Sequence, residues 1–330
     1  MANHAEQQNA KRIYIFDSPR TCSQLFYKLF TAHEQLGHIM NPTIMGVTYG
    51  PERLFLNFQH CQAAEEAHWR NAAKANFSNE TYAASAERLE QSVADAEEKA
   101  KIPLIKEHAV CSVRPDVMKL AAKNGLDNPL PKERYAEWGY NPSPFTDELF
   151  RSFTPVLLIR HPALMQPSFY IKQKILFFNE VWDEEYAVLT SLCWPRMMFD
   201  CYTELYEQGL VQKRPIVVDA HDVVNHTDSL LPKLCQELEI DPAGIQYQWD
   251  PIPKDQWPAD PCMQEFYKEI LSSSGVNRPG TKPEEERIDV ESKVPEWSSR
   301  FGEKTAEALR ARVEAEMGNY EYLKQFKLNC

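Results

Sequence analysis

The chain has 330 residues, 43% hydrophobic and 25% charged, the composition of a soluble globular protein able to bury one large core or two smaller ones. Its formal net charge of −12 argues against a nucleic-acid or anionic-membrane partner, because such binders need a basic face to neutralise phosphates. Any bound anion must then be gripped by a local basic pocket.

Residues 1–12, MANHAEQQNAKR, lack the apolar stretch of a signal peptide, and no run of eighteen apolar residues occurs later, which predicts a cytoplasmic protein. A first strand is predicted over 12–16, followed by the loop SPRTCSQ and a helix over 23–36 with apolar residues at 25, 26, 29, 30 and 36. An insertion spans about 37–101 and is expected to be helical; its second half, 78–101, reads as a solvent-washed helix with a thin stripe at Tyr82, Leu89 and Val93. A second strand is predicted over 102–106. Another insertion, about 111–155, carries five prolines within 124–155 and many aromatics, which predicts irregular chain: either a lid over a pocket or a packed loop.

Further strands are predicted over 156–160 and 215–219, with helices over 163–178, 229–238 and 302–320. Each strand run lacks strict alternation, as expected where both faces of a parallel sheet are covered. Repeated strand, turn and helix predict one α/β domain over 1–330, a three-layer α/β/α fold with a central parallel sheet. The eight cysteines include no C-x-x-C pair and several lie in apolar runs, so they read as reduced packing residues.

Three stretches carry chemistry. In IFDSPRTCSQL a strand feeds a helix, so first-turn N–H groups and the helix dipole offer a cradle for an anion, to which Arg20 adds a cation and Thr21 and Ser23 add donors. The bland alternative is a capped helix after an ordinary turn. A Walker A loop is absent from the sequence, which disfavours a nucleotide kinase. In LLIRHPALMQPSFY, Arg160 ends a strand and Ser168 follows on a helix eight residues later, a spacing that can bring guanidinium and hydroxyl onto one phosphate. In PLIKEHAV, Lys106 and His108 are two apart in extended chain and point to one side, where His108 can take a proton and Lys106 can neutralise charge. Asp219, His221 and Asp222 form a polar cluster after the last strand, read either as pocket lining or as a solvated turn.

Together these stretches resemble the sulfotransferases that use 3′-phosphoadenosine-5′-phosphosulfate (PAPS), a P-loop-like fold family. SPRTCSQL is similar to the family's Pro-Lys or Pro-Arg phosphosulfate loop, Arg160 and Ser168 match its Arg/Ser pair for the 3′-phosphate, and Lys106-Glu107-His108 is similar to the Lys-x-His element of cytosolic members. Weaker likenesses lie in the 217–240 segment, in SGVNRPGTK around Arg278, and in Trp297 with Phe301. The pattern suggests a divergent, fungal-type branch.

The resemblance implies that Ser18, Pro19, Arg20, Thr21, Cys22, Ser23, Gln24, Arg160, Ser168 and Arg278 bind PAPS as co-substrate. It implies that His108, Lys106 and Arg20 serve catalysis, with Glu34 as a rival base, that no metal is needed, and that the partner is a small-molecule hydroxyl or amine acceptor. Trp69, Tyr140 and Phe145 are candidates to shape the acceptor pocket. Cys22 and Gln24 depart from the family's usual Gly and Thr, and glycine matters there if φ is positive. The alternative reading keeps the fold but gives the pocket another anion or another reaction.

Overall fold

The computed structural model describes residues 11–52, 79–176, 180–259, 261–276 and 287–330. Its centre is a parallel five-stranded sheet built from β1 (Ile13–Asp17), β2 (Leu36–Met40), β3 (Ile102–His108), β4 (Thr154–Ile159) and β5 (Ile216–Asp219), in the order β2-β3-β1-β4-β5. The register aligns Asp17 with His108 on one side and with Leu158 on the other. The carboxyl ends of β1, β3 and β4 therefore lie next to one another. The chain leaves β1 towards one edge of the sheet and β4 towards the other, which opens a crevice at those ends.

Both faces of the sheet are covered. Tyr14, Phe16, Ile105, Leu157, Ile159 and Val217 enter one core, with α3 (Tyr82–Glu98) and α9 (Cys193–Glu207) packed among the helices over it. Ile13, Ile15, Leu104, Val156, Leu158 and Val218 enter the other, with α1 (Ser23–Lys28) and α11 (Thr227–Leu238). Residues alternate between faces, but each face is apolar, which is why the strands read as unbroken hydrophobic runs. A third cluster joins α7 (Pro162–Leu176), α13 (Val290–Phe301) and α14 (Glu303–Lys324) through Ala163, Phe169, Trp297, Leu309 and Val313. No described helix is long and apolar enough to cross a membrane.

The helix expected over 23–36 stops at Lys28, and β2 begins at Leu36. Leu29 and Phe30 are buried beyond the helix end, so apolar spacing there reflects a turn pressed on the core. Edge strand β2 pairs only with β3, and Gly37 lets it approach α3 closely: a Cβ at that position would stand 2.7 Å from the Ala96 Cβ. The helical expectation for 37–101 thus needs correction at β2, while α2 (Ile44–Tyr49) and α3 fit it and residues 53–78 lie outside the described residues.

The stretch 111–155 is not irregular. It holds α4 (Pro115–Asn124), α5 (Lys132–Glu137) and α6 (Asp147–Arg151), with Pro115 in the first turn of α4 and Thr146 capping α6 by accepting the Leu149 N–H at 3.2 Å. Its Tyr135, Phe145, Phe150 and Phe153 are buried in the first core, where Phe145 lies 6.0 Å from Tyr14. It is a packed layer. Phe145 is therefore a core residue and not a lining candidate, and Trp69 lies outside the described residues.

The remaining helices are α8 (Glu184–Thr190), α10 (Ala220–Asn225) and α12 (Pro261–Leu271). Among the described residues, the cysteines at 111, 193, 201, 235 and 330 are free of disulfides, and four of them are buried. That fits the packing role expected of them.

Candidate active site

The loop after β1 is built without glycine, yet it needs left-handed backbone twice: Arg20 has φ 69° and Cys22 φ 60°. Such geometry costs about 1–2 kcal/mol for a residue with a Cβ. The loop is held by its own contacts. The Thr21 hydroxyl donates to the Ser18 carbonyl at 2.7 Å, and an Arg160 Nη1–H donates to the Arg20 carbonyl at 2.9 Å. Ser18, Pro19, Thr21 and Ser23 are buried, with Cys22 and Gln24 half-buried. The Thr21 hydroxyl, expected as a ligand donor, is thus engaged by the loop itself.

Arg20 Nε donates to Ser168 Oγ at 3.0 Å, so the serine predicted to share a phosphate with Arg160 contacts the other arginine. Arg20 nevertheless joins the other two, Ser168 through its guanidinium and Arg160 through its backbone carbonyl. Burial pulls the Arg20 guanidinium below its ordinary range; Glu269 opposes this and the neighbouring positive charge of Arg160 adds to it. No carboxylate among the described residues forms an ion pair with Arg20 within 4.0 Å. Helix α12 lies over this corner, with Phe266 5.7 Å from the Arg20 guanidinium and Glu269 paired at 2.8 Å to Lys172, one helical turn after Ser168. Lys172, Phe266 and Glu269 were not legible as site residues.

At the adjoining strand end, Lys106 and His108 do project to one side, and both reach Asp17. Lys106 Nζ stands 3.1 Å from Asp17 Oδ2, and His108 Nδ1 bonds Asp17 Oδ1. Asp17 and Lys106 are buried while His108 keeps 19% exposure, so the histidine alone of the three faces outward. Burial alone would raise the Asp17 carboxyl, but the charges and hydrogen bonds of Lys106 and His108 outweigh it and hold the group below the usual carboxylate range. Lys106 also donates to Asn41 Oδ1 at 3.3 Å. Between them, Glu107 turns the other way: its Oε2 accepts from the Thr43 N–H, the Thr43 hydroxyl and the Ile44 N–H, which fixes the start of α2.

Asp17 is the residue that the sequence reading missed. Its one signal was an acid closing an otherwise apolar strand. Glu34, the rival base, precedes β2 at the amino end of the sheet, where its carbonyl accepts from Lys101; it is on the opposite side from the crevice. Arg278 lies outside the described residues. The 219–222 cluster is no solvated turn: Asp219 and Asp222 are buried, the first accepting from the Tyr320 hydroxyl at 2.8 Å and the second paired with Lys327 at 2.9 Å.

No protein-family model matches the chain. It is 25% identical over 337 residues to sulfotransferase ppzF of Metarhizium majus, covering 97% of each chain. It is 24% identical over 340 residues to sulfotransferase ppzF of Metarhizium rileyi, covering 97% of this chain and 96% of the relative. A likeness spread over nearly the whole of each chain, on a parallel sheet clad by helices on both faces, supports a sulfotransferase family for this protein.

Proposed function

We propose that the protein transfers a sulfuryl group from PAPS to a hydroxyl or amine of a small acceptor. The observation that carries this reading is the meeting of Arg20, Arg160 and Ser168 beside the Asp17–His108 pair at the carboxyl ends of three adjacent strands. Two guanidinium groups held close together and partly desolvated repel each other, and an anion with two phosphate groups repays that cost. Left-handed residues stand on either side of Thr21, and left-handed turns are the kind of backbone from which N–H groups form an anion-binding nest suited to a phosphosulfate.

In this reading Arg20 and the loop N–H groups hold the 5′-phosphosulfate, and Arg160 with Ser168 holds the 3′-phosphate. The acceptor oxygen or nitrogen attacks sulfur in line as the bond from sulfur to the bridging phosphate oxygen breaks. His108 takes the acceptor's proton at Nε2, because Asp17 occupies Nδ1 and fixes the ring's orientation. Lys106 acts through Asp17, since its ammonium is buried against that carboxylate. Arg20 stabilises the charge that gathers on the departing 3′,5′-adenosine diphosphate. The step is positioning and electrostatics, with no metal in it.

The test is turnover with PAPS against a panel of phenols, alcohols and amines. His108→Ala should lower kcat by about a hundredfold or more, and Arg20→Ala should weaken both kcat and nucleotide affinity. Transfer that survives both substitutions refutes the assignment. Binding of 3′,5′-adenosine diphosphate with no transfer to any acceptor favours a repurposed member of the fold.

A further inference from the structure

We propose that His221, Asp222, His226 and Cys330 form a binding site for a borderline divalent transition-metal ion, with zinc the best match. The set stands apart from the chemistry of the Arg20–Arg160 crevice and does not depend on sulfuryl transfer. The carboxyl end of β5 turns directly into α10, which carries His221 and Asp222, and His226 follows at the junction with α11. One ligand atom from each of the three residues lies within 4.8 Å of the others.

A second chain segment supplies the fourth donor. Lys327 bridges Val217 in the parallel sense, and the Leu328 N–H donates to the Val217 carbonyl at 2.8 Å, so the tail runs along β5 towards α10. Cys330 follows two residues after Leu328, and its exposed thiol arrives beside the Asp222 carboxylate.

Two imidazoles, one carboxylate and one thiol are a mixed nitrogen, oxygen and sulfur set that suits zinc in tetrahedral coordination and is too soft for magnesium or calcium. Tetrahedral ligands about 2 Å from zinc lie about 3.3 Å apart, so the exposed Cys330 thiol, which stands outside the 4.8 Å group, must swing in, and the three clustered groups need a contraction of up to about 1.5 Å. The exposed His226 ring can supply it by rotating. Asn225 stands 3.1 Å from His221 Nδ1 and, with its amide oxygen turned to the ring, would accept Nδ1–H and present Nε2, the outer-shell support that metal-bound histidines use. Lys327 Nζ, 2.9 Å from Asp222 Oδ2, already places a cation on the carboxylate, and a metal ion competes with it. Metal binding releases the thiol proton to solvent.

The experiment titrates cobalt(II), then zinc(II), into the full chain after treatment with a chelator. Visible absorption should saturate at one cobalt per chain, with a near-ultraviolet thiolate-to-cobalt band, and zinc should displace it. His226→Ala, at an exposed position that leaves the metal-free fold intact by circular dichroism, should weaken binding by about tenfold or more. Cys330→Ser should remove the near-ultraviolet band and keep the visible one, while Lys327→Ala should tighten binding. The proposal is overturned by absence of a saturable cobalt signal, or by unchanged affinity in a His221→Ala/His226→Ala double variant. A near-ultraviolet band that survives Cys330→Ser removes the thiol from the set.

Discussion

Replacing Asp17 by Asn keeps the side chain's shape and removes the charge that Lys106 and His108 share. Both Asp17 and Lys106 are buried, so the variant leaves an ammonium in the interior with neutral amides and no counter-charge beside it, the Asn41 oxygen standing at 3.3 Å. Breaking a buried pair from one side costs about 3–5 kcal/mol, far above the value of an exposed pair. Urea denaturation followed by circular dichroism measures the loss. The double variant Asp17→Asn/Lys106→Met removes both charges together and should recover much of the stability, because the penalty lies in the orphaned charge and not in the absent attraction. Turnover should stay low in both, since neither restores the carboxylate that orients His108.

The pH dependence has a definite sign. The folded Asp17 carboxyl is held below the ordinary carboxylate range, so its stabilising contribution is present above the unfolded pKa and is lost as pH falls through the folded one. Asp17→Asn should therefore flatten the acid side of the stability profile. A single variant within about 1 kcal/mol of wild type, with transfer intact, would refute the buried-pair argument and the orienting role together.

Other expectations can be checked in parallel. Removing one arginine of the Arg20/Arg160 pair should weaken binding of 3′,5′-adenosine diphosphate by about 1.5–3 kcal/mol in calorimetry. The double variant should lose less than the sum, because either single change already removes the mutual repulsion that the bound anion relieves. Cys22→Gly should be more stable than Cys22→Ala by about 1 kcal/mol in thermal melts, given the left-handed backbone at that position. Glu316 is buried where its Oε2 accepts the Leu192 N–H at 2.8 Å, and burial pushes its carboxyl up to about 7 despite Arg312. Raising pH from the ordinary carboxylate range to neutrality should then cost wild type about 3 kcal/mol relative to Glu316→Gln. A profile that stays parallel to that variant's would contradict it.

The four strands expected from the sequence are present because apolar β-rich runs bounded by polar or proline residues are a local signal. Helices α7, α11 and α14 were legible for the same reason, through their periodic apolar positions. Strand β2 was not, since an edge strand with two of its five residues exposed needs little apolar content, and its short LGHIM run follows helical spacing that the core reuses as a turn. The aromatics of 111–155 misled in the opposite direction: prolines that start or separate short helices read as disorder of pattern, although the rings fill the core. At the site, Arg20, Arg160, Ser168, Lys106 and His108 could be named from strand ends and spacing, but who touches whom could not. Asp17 depends on the β1–β3 register, and Lys172, Phe266 and Glu269 depend on where α12 comes to rest, which are long-range facts that spacing does not carry.

The return of the last residues along β5 has a consequence for the behaviour of the chain in concentrated solution. A sheet margin with unpaired amides is a template on which another molecule can polymerise, and Leu328 already occupies the Val217 carbonyl on that side. Deleting residues 327–330 would unmask this selvage. Self-association should then rise with concentration even where the hydrophobic interior is untouched.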